Sequence, residues 1–329
     1  MNNMRTPTID AICAAAALTF FSAAAGAQPG AVYPLKPIRF VVPYTPGGGT
    51  DLMARALAQR MSESMGQSLI VENRAGAGGN LGMEFVARSS PDGYTIALAL
   101  TAQYVVNPAL YPKLPYDPVK DYAPIMLVAR NPYVLVVHPT VPVKSLQQLI
   151  ALAKARAGQL TFSSSGNGSG AHLSGEMLKT MAKVDMLHIP YKGAGALLPD
   201  LIAGQVHLSF VTWSSVGQHV KGGRLRALGV TTVKRSPALP DLPAIAETLP
   251  GYDLPVWYGI VAPAGTPREI VARLNAEILR VITMPDFKQR IEVDAVEPIG
   301  STPEQLGEYI KTELVKWAKI VKDSGAKVD

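Results

Sequence analysis

The chain has 329 residues, 17% of them charged and 48% hydrophobic, with 29 Gly, 27 Pro and one Cys. At about 100–200 residues per domain this length suggests two domains; the apolar content excludes disorder as the main state, and one cysteine excludes a disulfide framework or a Cys-based zinc site. The net charge of +6 is thinly spread, and the basic clusters Lys221-Gly222-Gly223-Arg224-Leu225-Arg226 and Lys234-Arg235 are too sparse for a nucleic-acid-binding face.

The first segment reads as an export signal. Arg5 precedes an apolar stretch from Ala11 to Phe21, and small residues at Ala25 and Ala27 supply a cleavage site before Gln28. The stretch is too short for a membrane anchor, and no apolar run of about 20 residues follows it. Asp10, three before Cys13, makes a poor lipoprotein signal. Cleavage near Ala27 removes the only cysteine and leaves an exported protein held together by its core.

Strands and helices then alternate. Ile38–Val42 is a buried strand ended by Pro43, followed by a helix over Asp51–Met65 with Gly66 as its stop. Leu69–Val71 and Tyr94–Leu100 are further strands. Ser145 and Gln148 form a capping box before a helix ending at Gly158. Leu160–Ser163 is a strand, Ala171–Ala182 a helix and His188–Pro190 a strand. A short helix ends at Gly204, and Val206–Phe210 and Leu225–Thr232 are strands. Two late helices start at the capping boxes Thr266-Pro267-Arg268-Glu269 and Thr302-Pro303-Glu304-Gln305, each with Pro at the first helical position. The alternation predicts α/β architecture with largely parallel strands. Ala129-Arg130-Asn131-Pro132 and the Pro-rich run Ser236–Pro255 read as crossovers between domains.

In open α/β sheets ligands sit beyond the carboxyl ends of the strands. The first candidate loop is Pro43-Tyr44-Thr45-Pro46-Gly47-Gly48-Gly49-Thr50-Asp51, where glycines let the backbone approach a ligand and the helix start offers N–H groups to an anion. Asp51 in the first turn suits the helix dipole better than catalysis, and no Lys-Ser/Thr follows to make a Walker A loop. A second is Ser163-Ser164-Ser165-Gly166-Asn167-Gly168-Ser169, running to His172 and rich in hydroxyl and amide donors. Its loose dinucleotide fingerprint lacks the acid expected after the next strand, where Tyr191-Lys192 stands instead. Thr101-Ala102-Gln103-Tyr104 and Tyr191-Lys192-Gly193 complete the set. Lys192 either pairs with an acidic ligand or stands as an exposed lysine. His172 and Glu176, four apart on one helix face, are either an acid/base or metal pair or a solvated or structural pair, the latter being favoured. Trp213 and Trp257 are either pocket walls or, the commoner case, core aromatics. The chain has no nucleophile elbow, no H-E-x-x-H and no paired carboxylates on these loops. It offers binding loops without a catalytic set, a metal site or a cofactor site.

These motifs carry a family resemblance. Tyr33-Pro34-x-Lys36-Pro37-Ile38-Arg39 and Val42-Pro43-Tyr44-x-Pro46-Gly47-Gly48-x-x-Asp51 resemble the opening of the tripartite tricarboxylate transporter substrate-binding proteins, or Bug receptors. Val71-Glu72-Asn73-Arg74-x-Gly76-Ala77-Gly78-Gly79, Pro91-Asp92-Gly93-Tyr94-Thr95, Asn107-Pro108-x-Leu110-Tyr111, Tyr191-Lys192-Gly193, Leu225-Arg226-Ala227-Leu228 and Ala262-Pro263-Ala264-Gly265-Thr266-Pro267 extend the match over nearly all of the chain after the export signal.

The resemblance implies a two-domain periplasmic-binding-protein (type II) fold with a hinge between the domains. Residues 28–128 and 253–329 would form domain 1, with 129–252 inserted as domain 2. The implied function is capture of a small organic carboxylate between the domains, for a membrane permease or a sensor kinase, by a monomer. The loop at 43–51 would grip one carboxylate and the loop at 163–169 the other end. Many members read Phe-Asp-Asn where this chain has Phe210-Val211-Thr212, next to Trp213. That substitution, with His207 where an acid is common, points away from an amino-acid ligand and toward a plain or apolar-bodied carboxylate. The rival readings are an exported α/β hydrolase or oxidoreductase acting on a small acid, and an adhesive exported protein.

Overall fold

A computed structural model of the chain describes residues 33–324. The expected export signal and its cleavage site lie outside these residues. β1 (Ile38–Val42) stops at Pro43 and leads to α1 (Gly49–Met65), whose stop is Gly66 in a left-handed conformation. β2 (Leu69–Asn73) is followed by a single tight turn at Ala77–Gly79 and by α2 (Asn80–Ala87). β3 (Thr95–Leu100) runs into a wide helical turn at Ala102–Val106 and α3 (Asn107–Leu110). Then come β4 (Tyr122–Val137), α4 (Leu146–Ala155), β5 (Thr161–Ser164), α5 (Gly170–Ala182) and β6 (Leu187–Pro190). α6 (Ala194–Ile202), β7 (Leu208–Thr212), α7 (Trp213–Lys221) and β8 (Arg226–Val230) follow. The chain closes with β9 (Pro255–Pro263), α8 (Arg268–Thr283), α9 (Pro285–Glu292), β10 (Glu297–Pro298) and α10 (Pro303–Ser324).

The strands form a curled sheet in the order β2-β1-β3-β9-β4-β7-β5-β6, with β8 and β10 also paired to β4. β1 pairs in parallel with β2 and β3, and β5 in parallel with β6 and β7, but β3 pairs antiparallel with β9, so the expected parallel pairing holds for only part of each half. What joins the halves is antiparallel. From Tyr122 to Pro132, β4 pairs with β9; from Tyr133 to Val137 it pairs with β7, and from Val134 to Val137 also with β8. Pro132 lies opposite Pro255 at the changeover. Neither proline has an N–H, so the ladder loses two donors where it passes from one half to the other.

The local signals fared unevenly. At α10, Gln305 N–H donates to Thr302 Oγ1 (3.2 Å) and Thr302 N–H to Gln305 Oε1 (2.9 Å), a complete capping box. At α4, Gln148 N–H donates to Ser145 Oγ, but the Gln148 side chain accepts from Lys144 N–H. No capping box forms at α8: Thr266 Oγ1 donates to the Pro263 carbonyl (2.7 Å), and Pro267 itself stands at the cap. The strand expected at Val206–Phe210 lies at Leu208–Thr212, because His207 N–H bonds the Thr161 hydroxyl instead of a backbone carbonyl. α7 was not anticipated. Trp257 is a core residue, stacked on Tyr104 (centroids 5.1 Å) and edge-on to Tyr309.

Candidate functional site

The loops that follow β1, β5, β6 and β7 lead directly into the N-termini of α1, α5, α6 and α7. Such ends carry N–H groups with no intrahelical partner. Loops from the two halves of the sheet touch. Thr45 N–H donates to the Lys192 carbonyl (3.3 Å), and Tyr111 Oη donates to the Asn167 carbonyl (2.7 Å). A Cβ added at Gly49 would strike the Thr212 hydroxyl, one at Gly195 the Pro46 carbonyl and one at Gly78 the Asn167 carbonyl. Two loops approach closely here because glycine faces the opposing chain.

Asp51 organises the first loop. Its Oδ2 accepts from Gly47 N–H (2.9 Å) and Arg55 Nε (2.9 Å), and its Oδ1 from Asn73 Nδ2 (3.0 Å). Asn73 also donates to the Tyr44 carbonyl (2.9 Å). Burial alone would raise the Asp51 pKa, but hydrogen bonds from Arg55, Gly47 and Asn73 outweigh it and hold the carboxyl below its ordinary value. With its oxygens so occupied, Asp51 fixes the loop. Gly47 takes the left-handed conformation (φ 83°), and Gly48, extended, caps α1 with Thr50 buried in the first turn. Thr45 Oγ1 is buried and makes no hydrogen bond to protein.

Gln103 ties this loop to the next. Its Nε2 donates to Tyr44 Oη (2.7 Å) and the Gly78 carbonyl (2.6 Å), and its Oε1 accepts from Leu100 N–H (3.0 Å). Thr101 Oγ1 accepts from Trp257 N–H, and Ala102 is buried at the start of the wide turn.

In the other half, Ser169 caps α5 by accepting from His172 N–H (3.2 Å), while His172 Nδ1 accepts from Gly168 N–H (3.2 Å). Ser164 Oγ accepts from Gly166 N–H and lies 2.6 Å from His188 Nε2. The His172 and His188 rings stack at 4.1 Å. Burial, with His172 and Lys179 adding to it, pushes the His188 pKa down to about 3, so this imidazole stays neutral. His172 is buried, with Glu176 4.0 Å away, so the pair is not a solvated one. Ser165 and Asn167 are half-buried on the loop, and Ser163 Oγ is buried without a protein partner.

Other expected residues fall elsewhere. The Lys192 ammonium is exposed and only its carbonyl joins the contact between loops. Tyr191 Oη donates to Asp200 (2.7 Å); burial and Asp200 push that phenol up to about 12. Gly193 caps α6 with a φ of 142°. Thr212 Oγ1 reaches the loop at Gly49. Val211 and Trp213 do not: both sit in an apolar cluster with Val134, Leu197, Val216 and Val230. β7 is buried on both faces, so its sequence carries no phase, and alternation sends Val211 away from the side that Thr212 takes. The ligand class read from Val211 therefore loses its geometric basis.

Several residues near these loops were missed. Asn73, Gly78, Asn107 and Tyr111 lay inside motifs already visible in the sequence. Asn131, Tyr133 and Tyr258 were not singled out, because they come near these loops only through the pairing of β4 with β9 and with β7. The Tyr133 ring packs against Gly170 at the start of α5. No Lys or Arg among the described residues is buried. The described residues hold no group of three His, Cys, Asp or Glu placed for a metal ion. An open depression of about 980 Å³ around Arg39, Phe85 and Tyr94 is lined by none of these loops; its Lys36, Arg39 and Arg88 are paired with Asp92, Glu72 and Glu84.

Two sheet halves joined through β4 and β9, with helix N-termini at their meeting loops, define a two-domain periplasmic binding protein. The chain belongs to the tripartite tricarboxylate transporter family receptors, whose pattern it matches over residues 53–326. It is 38% identical to BugT of Bordetella pertussis over 90% of its length and 91% of that protein's. It superposes on Rpa4515 of R. palustris, solved with adipate, with a TM-score of 0.87 at 37% identity, covering 90% of this chain and all of the other. MatC of Rhodopseudomonas palustris, solved with malate, gives 0.84 at 31% identity, covering 88% of this chain and 100% of the other. The protein is a solute-binding receptor of the periplasmic family and not an enzyme.

Proposed function

We propose that this receptor captures a small organic carboxylate between the loops at 43–51 and 163–169 and delivers it to a membrane permease or a sensor kinase. The observation that carries this reading is the pair of buried hydroxyls without protein partners, Thr45 Oγ1 on the loop into α1 and Ser163 Oγ near the end of β5, before the loop into α5. Helix starts and hydroxyls together favour an anion. With no buried Lys or Arg among the described residues, neutral donors would do the gripping. Adipate and malate in two related receptors support a carboxylate as the ligand class.

The domain division expected from the sequence fits this use. Residues 28–128 and 253–329 would form one lobe and 129–252 the other, with the hinge where Pro132 meets Pro255. The ligand's greater affinity for the closed form would shift the open–closed balance, and the closed monomer, exported by cleavage near Ala27, would dock on its partner. A thermal-shift screen of organic acids against the intact mature chain tests the reading. Ligand at about 100 times its Kd adds about 2.7 kcal/mol of stability, a rise of several degrees with at least one acid. Stabilisation by NAD and by no acid would sink the proposal.

A further inference from the structure

At the changeover in β4, Asn131 is 3% exposed, yet neither its Nδ2 nor its Oδ1 makes a hydrogen bond to protein. Tyr258, on β9, is fully buried and its Oη is likewise without a partner. The two are neighbours: Asn131 stands opposite Val256, two residues from Tyr258, and the amide lies close enough to oppose the rise that burial causes in the phenol's pKa, without the geometry of a hydrogen bond. Tyr258 stands opposite Leu100, the residue before the Thr101–Tyr104 loop, whose Gln103 holds the Tyr44 hydroxyl and the Gly78 carbonyl. The pair thus lies between the hinge and the candidate ligand loops.

Leaving three buried polar atoms unmet is costly, since each forfeits its hydration without compensation. An amide offers donors and an acceptor together, and a phenol offers both. The unmet atoms include an acceptor, Asn131 Oδ1, and an ionised carboxylate has no proton to give it, whereas a hydroxyl or a carboxamide has.

We infer that Asn131 and Tyr258 form a specificity-determining pair that takes a second, uncharged hydrogen-bonding group of the ligand. The ligand class is then an acid carrying a hydroxyl or carboxamide away from its carboxylate, and not a dicarboxylate. This rests on the carboxylate reading proposed above.

The test is isothermal titration calorimetry of the intact mature protein with four- and six-carbon acids ending in methyl, hydroxyl, carboxamide or carboxylate: butyrate, γ-hydroxybutyrate, succinamate and succinate, then hexanoate, ω-hydroxyhexanoate, adipamate and adipate. In the wild type, the hydroxyl- or carboxamide-ended acid should bind about tenfold tighter than its methyl- and carboxylate-ended counterparts, the size of one net hydrogen bond. Asn131→Leu and Tyr258→Phe should each bring it down toward the methyl-ended acid, whose own affinity stays within a few-fold. Tyr258→Phe keeps the ring and so guards against a folding defect in the other variant. Tightest wild-type binding of a dicarboxylate, or an end-group preference that survives both variants, overturns the inference while leaving the carboxylate reading standing. Failure of every acid to bind the wild type overturns both.

Discussion

Asp51 shows how much one buried carboxylate can hold in place. It receives the Gly47 amide, the Arg55 guanidinium and the Asn73 side-chain amide, and so fixes both the turn before α1 and the end of β2. Its pKa sits below the usual 3.8 in the folded chain. The folded state therefore releases its proton more readily than the unfolded state. The resulting stability is present above the unfolded value and is lost as pH falls through the depressed folded one. Asp51→Ala leaves buried donors unmet and should cost about 1–3 kcal/mol, read from urea melts at neutral pH. The mutant's deficit should shrink as melts are repeated at pH values below the ordinary carboxylate range, where the wild type loses the same contribution. A deficit that stays constant down to full carboxyl protonation would show that charge on Asp51 is irrelevant to the fold.

Among the elements, α10 makes the clearest test of a local signal. Thr302 and Gln305 satisfy each other's backbone N–H groups, so Thr302→Ala should cost about 1 kcal/mol and lower the melting temperature by on the order of 2 °C. Thr266→Ala provides the contrast: it removes a turn hydrogen bond to Pro263 and leaves the start of α8 as it is. The same comparison explains what was legible. The box at α10 and the glycine loop before α1 are local patterns, written within a few residues of where they act, and both were readable. At Thr266 the pattern was present, but Pro267 took the cap position and the hydroxyl turned back to an upstream carbonyl. Val211 was set on the ligand side because a strand buried on both faces carries no alternation to show its phase, whereas Trp213, at the start of α7, sits in the apolar cluster as the commoner core reading had it. Asn131 and Tyr258 stayed hidden because they meet only when distant segments pair. Parallel strands were expected and are found at β1–β3 and β5–β7, but the antiparallel ladders of β4 and β9 have no local signature.

At the scale of the whole molecule, the proposed capture rests on two halves that can meet. The contacts seen at their junction are made largely by backbone: Thr45 N–H to the Lys192 carbonyl, and glycines at 49, 78 and 195 facing atoms of the opposing loop. The weak point of the connection is the Pro132–Pro255 step, where the ladder lacks donors. Gly195 separates closure from folding. It lies inside α6, where alanine is intrinsically better tolerated than glycine, so Gly195→Ala should leave the melting temperature of the ligand-free protein unchanged or slightly raised. The added methyl would, however, run into the Pro46 carbonyl, a backbone atom of the opposing loop that cannot swing aside. If ligand is held only where these loops meet, each 1.4 kcal/mol lost from closure weakens binding about tenfold. The variant should therefore lose at least that much affinity for any acid that stabilises the wild type. Small-angle scattering should show the ligand-induced compaction of the wild type reduced or absent in the variant. An unchanged affinity together with unchanged compaction would mean that the loops at 43–51 and 193–195 need not meet for capture, and the site would have to be sought elsewhere along the junction.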